Sequence, residues 1–352
     1  MLKMKNWKKE ILLEEGHRYF KNCHASTIVK LPNGDLLVAY FAGMKEGSGD
    51  TAIWVSRKTA GKWQTPVRTI SKEGTAHWNP VLHQEENKLW LFYKVGATVH
   101  TWKTRVAVSE DDGQTWIKDK ELVDGDPLPR GPVKNKLLSL SNGHWLAPGS
   151  TEDEIFWDAF VDDSANKGLT WEKYDVPFEH KAINNLNDAV IWEGLQNEAL
   201  WENDLNKVFK WDGIIQPTLW ESKAGYVHML LRSTRGTVYR SDSSDYGKSW
   251  CPAYPTMLPN NNSGLDVVKL ANGYLVLIYN PISGNWSERS PISISFSKDN
   301  GNLWTDPYHF EIEKGEFSYP AIISCQDEIH VTYTWNRKNI VYQFINIPAS
   351  IF

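Results

Sequence analysis

The chain has 352 residues, 41% hydrophobic and 23% charged, with a formal net charge of −5. This is the composition of a globular protein, and the length suits two ordinary domains or one large all-β domain. Lys and Arg are spread along the whole chain, which argues against a general nucleic-acid or membrane surface and leaves room for a small basic pocket.

The N-terminus, MLKMKNWKKEILLEEGHRYF, is basic without an uninterrupted apolar core, so no secretory signal is expected. No run of about 18 apolar residues follows, so no transmembrane helix is expected either. A first apolar strand near 24–31 runs into the turn LPNG (31–34) and a second strand, DLLVAYF. A third strand ends at Ser56, with Gly61 and Trp63 following it. The order repeats from 78–84 through KLWLFYKV to SEDDGQTW at 109–116. It repeats again from 133–140 through LSNG (140–143) and HWLAPGS to Ser164, Asn166, Gly168, Thr170 and Trp171. Residues 183–208 then interrupt it with a sequence of helical composition, DAVIWEGLQNEAL among it. The pattern resumes at 214–221, with YVHMLLRS and a box from Ser243 to Trp250. It continues at 264–270, with LANG (270–273), YLVLIYN and a box from Ser297 to Trp304. A last copy, 318–324 with EIHVTYTW, has no box after it, and its outer strand is expected from residues around 10–20.

The boxes begin at 56, 109, 164, 243 and 297, in steps of 53, 55, 79 and 54 residues. A motif repeated that often is architecture and not a catalytic centre, and the period of strand-type sequence predicts a propeller. Asn-Gly between apolar runs is a hairpin signal. Six blades of four strands follow, with the long step as an insertion between the third and fourth. Most of the eighteen tryptophans are expected in packing, the rest as sugar-stacking platforms. Cys23, Cys251 and Cys325 are far apart and form no CxxC pair, which points to a reduced, cytoplasmic setting.

Boxes, period and strand order resemble the Asp-box (BNR-repeat) proteins of the sialidase superfamily over about residues 20 to 345. The resemblance implies an all-β, six-bladed, sialidase-like β-propeller of four-stranded antiparallel blades. Its boxes would be turn clamps, and its chemistry would lie at the pore end of the inner strands. Sialidases hold a substrate carboxylate with three arginines, use an Asp as acid/base, and pair a Tyr nucleophile with an activating Glu. Arg232 in HMLLRS and Arg289 in WSERSPISISFS match the second and third arginines, and Asp50 in KEGSGDTAIWVSR matches the acid/base. The first arginine is replaced in CHAST, with His24 at its place, and the activating Glu becomes Gln216 in IIQPTLW. The nucleophile position falls on Phe317 in EFSYPAII; Tyr319, two residues on, takes it if the register shifts.

Further candidates stand at the heads of inner strands. His24 is suited to proton exchange near neutral pH. Arg130, Lys134 and Lys136 in RGPVKNK form either a solvated strand end or a basic floor for a carboxylate. His77 and Asn79 in AHWNPVLH, and Asn262 in PNNNSGLD, suit hydrogen bonding to sugar hydroxyls. Glu46 and Glu152 are alternative acids. No metal-ligand spacing, phosphate loop or dinucleotide fingerprint is present, so no cofactor is expected. The sequence thus reads as a glycoside hydrolase acting on a terminal acidic sugar of an oligosaccharide, with no nucleic-acid or membrane partner. Two alternatives stay open: a lyase or rhamnosidase acting at a rhamnose–glucuronate linkage, and a glycan-binding propeller without catalysis.

Overall fold

The computed structural model describes residues 7–197, 200, 202–326 and 328–347. Strands and turns fall where the repeats put them. In each Asn-Gly turn the Asn side chain accepts a backbone N–H two residues on: Asp35 to Asn33 at 2.9 Å, His144 to Asn142 at 3.0 Å and Tyr274 to Asn272 at 3.0 Å. These Asx turns set the hairpin register.

The sheets are antiparallel meanders. The first unit runs from Asn22–Lys30 through Leu36–Gly43 and Ala52–Thr59 to the short Lys62–Trp63 and Val67–Ile70, and the second from His77–Glu85 to Ile117–Glu121. The third (Leu138–Ser139 to Glu172–Asp175) and fourth (Asp212–Lys223 to Tyr254–Pro259) share one sheet, joined by a short parallel bridge of Phe156 with Asp212 and Trp157 with Gly213. The fifth runs from Asp266–Lys269 to Tyr308–Glu311. The sixth (Phe317–Cys325 to Asn339–Asn346) is completed by Trp7–Ile11 from the other end of the chain. That closing strand lies earlier than the expected 10–20, because Leu12, Leu13 and Phe20 leave the sheet and bury themselves between the sixth unit and the first.

Apolar clusters lie between neighbouring units, and the box tryptophans fill them. Trp116 packs between the first and second units, Trp171 between the second and third, Trp250 between the third and fourth, and Trp304 between the fourth and fifth. The boxes themselves are clamps. Ser109 Oγ accepts from Gly113 N at 2.8 Å, while the Asp111 carboxylate accepts from Thr115 N at 2.9 Å and its hydroxyl at 2.6 Å. In the box from Ser243, Gly247 has φ +85°, and a Cβ there would come within 2.6 Å of Leu146 Cδ1. Gly247→Ala is therefore expected to lower the unfolding free energy by about 1–3 kcal/mol in urea titrations.

The long step between boxes holds two helices, Ala189–Gln196 and Leu205–Val208, capped by Asp188 and Asp204. Residues 198, 199 and 201 of the expected 183–208 insertion lie outside the described residues. Among the described residues no helix is long and apolar enough to cross a membrane.

Four inner strands break register, at His24/Thr27, Trp78/Val81, Ile215/Thr218 and Ser318/Ala321. In three of them a proline, Pro80, Pro217 or Pro320, sits at the break. A proline has no N–H for the ladder, so pairing yields to a bulge. Gln216 and Tyr319 take left-handed φ of 54° and 52° there, and these bulges turn Asn79, Gln216 and Tyr319 toward one pocket.

Candidate active site

The pocket gathers side chains from all six units. Arg232 stands near the end of Tyr226–Ser233 and is almost fully buried. Its Nε donates to Asn262 Oδ1 at 2.9 Å; its Nη1 donates to Gln216 Oε1 at 3.2 Å and to the Tyr319 oxygen at 2.7 Å. Gln216 Nε2 also donates to Tyr319, at 3.2 Å. Asn262 is itself held by Asn285 at 2.8 Å, so it positions Arg232 from behind and does not line the pocket. Arg289 donates to Glu316 at 2.7 Å.

A third guanidinium completes the cluster, from a place the repeats did not point to. Arg337 lies in the turn between Glu328–Trp335 and Asn339–Asn346, where Asn336 and Arg337 take φ of 51° and 55°. Its Nε donates to Glu316 at 2.8 Å and its Nη1 to Glu46. Three pocket arginines are thus present, although His24 occupies the first-strand position where an arginine was expected. Burial raises the Glu316 carboxyl, but Arg337 and Arg289 outweigh it and hold the group down at about 2. Burial works against the Arg337 cation, and Glu316 and Glu46 more than restore it.

Tyr319, not Phe317, presents its side chain here. Phe317 is buried in the core between the fifth and sixth units, because the bulge adds a residue and shifts the register expected from alternation. His24 lies beneath Tyr319, ring centroids 4.0 Å apart, with Nδ1 2.8 Å from Thr334 Oγ1. Burial, then Arg337, Arg289, Lys134 and Arg232, hold its pKa well below the ordinary value, and it packs beneath the pocket without lining it. Asp50 turns into its own loop, accepting from Met44 N at 2.9 Å and from Ser48 Oγ, and does not line the pocket. Glu46 and Glu152 line it instead.

The expected basic floor divides. Arg130 is spent on Asp162, at 2.9 Å from Nε, and on Asp126 at 2.7 Å, away from the pocket. Lys134 lies under Tyr319, 5.9 Å from its ring, and donates to Asn135 at 2.8 Å and to the carbonyls of Leu265 and Pro320. Burial lowers its pKa to about 7, against a pull upward from Asp266. Lys136 donates to Asp266 at 2.8 Å and to Val267 O. The third inner strand is shorter than the expected 133–140, running only from Leu138 to Ser139. His77 bonds the carbonyls of Thr51 and Thr75 and stacks on Tyr93, outside the pocket. Asn79 lines the wall and donates to Val133 O at 3.0 Å.

Trp78, Trp102 and Trp286 close the sides. Trp286 packs on Arg289 and on Trp211, whose cluster includes Ile191 and Val208 of the inserted helices. The insertion thereby buttresses one pocket wall.

The BNR repeat-like domain model matches residues 34–331. Among curated proteins none matches the chain. Of solved structures, a Dyadobacter fermentans protein of unknown function superposes with TM-score 0.71 at 14% identity, covering 97% of this chain and 98% of that one. The Hadza microbial sialidase Hz136 gives 0.70 at 17%, covering 92% and 66%. The Trypanosoma rangeli sialidase gives 0.67 at 14%, covering 93% and 55%, so this chain spans only part of both sialidases. At such identities the likeness shows the fold alone, an all-β propeller of the sialidase type. The chain belongs to the BNR repeat-like domain family.

Proposed function

We propose that the protein is a glycosidase acting on a terminal sugar that carries a carboxylate. The observation that carries this reading is the convergence of Arg232, Arg289 and Arg337 on one pocket with Tyr319. Glu316 and Glu46 offset two of the three positive charges through ion pairs. The surplus favours an anion, and planar guanidinium groups suit a carboxylate's two oxygens. Tryptophan walls suit the apolar face of a sugar ring.

Sugar held by its carboxylate would present its anomeric carbon to the Tyr319 oxygen. Gln216 cannot take a proton from that tyrosine as a glutamate would. In this reading Tyr319, fixed by Arg232 and Gln216, stabilises developing positive charge on the sugar while water adds. Tyr319→Phe is expected to lower turnover about 10²-fold while affinity for the acidic product changes less than about threefold, measured by steady-state kinetics and calorimetry.

The same substitution at Gln216 favours a second reading, β-elimination at a rhamnose–glucuronate linkage. There Arg232 would neutralise the uronate carboxylate and Tyr319 would accept the α-proton, with no glycosyl intermediate required. Sialic-acid- and glucuronate-terminated oligosaccharides, incubated with the protein and read by mass spectrometry, separate the readings. Cleavage with gain of one water is the expected result. Cleavage without it, leaving an unsaturated uronate, makes the protein a lyase. Binding of these sugars with no product makes it a glycan-binding propeller.

A further inference from the structure

We propose that Glu152 is the proton donor to the departing aglycone in this pocket, in place of the aspartate expected at Asp50; the inference rests on the glycosidase reading above. Glu152 is the last residue of Trp145–Glu152 in the third unit. Its main chain is fixed by pairing with Trp157, and its carbonyl accepts from His100 Nδ1. Its carboxyl lines the pocket with Arg232, Tyr319 and Glu46.

A general acid must enter the reaction neutral and be free to lose its proton. Glu316 is tied to Arg289 and Arg337, which leaves three carboxyl groups to compare. Glu46 is tied to the Arg337 guanidinium. Asp50 accepts two hydrogen bonds inside its own loop and does not line the pocket. Glu152 is only 7% exposed, and among the described residues no hydrogen bond to its carboxyl contributes to its electrostatics. An ionised carboxylate so placed has little water and no protein donor to stabilise it, so the neutral acid is favoured. Burial, with Glu46 adding to it against the pull of Arg232 and Lys94, raises its pKa to about 7. Glu152 therefore keeps its proton below about pH 7, far above an ordinary carboxyl, and loses it as the pH rises past that point.

The step balances without any further reagent. As the glycosidic C–O bond breaks, its electron pair goes to the aglycone oxygen, which takes the Glu152 proton. Water adds to the anomeric carbon, and the Glu152 carboxylate recovers a proton from it.

The test pairs two leaving groups on the same acidic sugar. One is an alkyl or sugar aglycone that needs protonation; the other is 4-nitrophenol, which leaves unaided. Glu152→Gln, which keeps the side-chain shape, is expected to lose about 10²–10⁴-fold on the first and less than about tenfold on the second. Wild-type kcat/KM should fall about tenfold per pH unit above pH 7, and that limb should vanish in Glu152→Gln. Asp50→Asn should keep both the rate ratio and the limb. Equal losses on the two aglycones in Glu152→Gln, or the selective loss appearing in Asp50→Asn, would overturn the assignment and leave the glycosidase reading standing. No turnover of any acidic glycoside by the wild type would remove that reading and the assignment together.

Discussion

Arg232→Lys is expected to lower kcat/KM on an acidic glycoside at least about 10²-fold, with a loss of stability no greater than about 2 kcal/mol. The guanidinium bonds Asn262, Gln216 and Tyr319 at once, at 2.9, 3.2 and 2.7 Å. A lysine ammonium keeps the charge but cannot reach all three in one plane while presenting a paired donor to a carboxylate. Tyr319 would lose its charged partner and Gln216 its orientation. Kinetics on the acidic glycoside alongside urea denaturation measures both halves of the expectation. A lysine variant with near-normal kcat/KM would mean that Arg232 only fills space.

Arg130→Met should do the reverse, costing about 3–5 kcal/mol of stability and leaving turnover per folded molecule unchanged. Arg130 meets Asp162 through Nε and Nη2 and Asp126 through Nη1, and Asp162 is fully buried. Removing the arginine strands a buried carboxylate that keeps one backbone donor, Gly131 N. The double variant Arg130→Met with Asp162→Asn should recover much of the loss, since the stranded charge is gone. Thermal and urea unfolding of the single and double variants reads this directly. A single variant of normal stability and reduced turnover would place Arg130 in the substrate site after all.

These two arginines show where the sequence is informative and where it is not. Both sit in strand-like segments next to apolar residues, RGPVKNK and HMLLRS, and nothing local tells the ion-paired one from the pocket one. The difference is set by Asp162, 32 positions from Arg130, and by Asn262, Gln216 and Tyr319 around Arg232. Box spacing and Asn-Gly turns are local devices, so strand order and hairpins were legible. Choosing between Phe317 and Tyr319 was not, because strict alternation has no place for a bulge. A signal was available in the X-Pro pairs Asn79–Pro80, Gln216–Pro217 and Tyr319–Pro320, which mark the residue turned toward the pocket in three inner strands. Arg337 lay further out of reach. It enters from a hairpin turn of the last unit, and only the closing of that unit against the first brings it to Glu46. Asp50 was placed by family position, but the loop spends its carboxylate on Met44 N and Ser48 and leaves Glu46 to line the pocket.

A substrate carboxylate is what the arginine cluster reads in this mechanism. The most direct measurement compares turnover of an acidic oligosaccharide with that of the same oligosaccharide after its terminal carboxyl has been reduced to the alcohol. Cleavage of the acid at least about 10²-fold faster than of the alcohol is the result predicted. Equal rates would mean that Arg232, Arg289 and Arg337 serve the fold or another ligand, and would contradict the account.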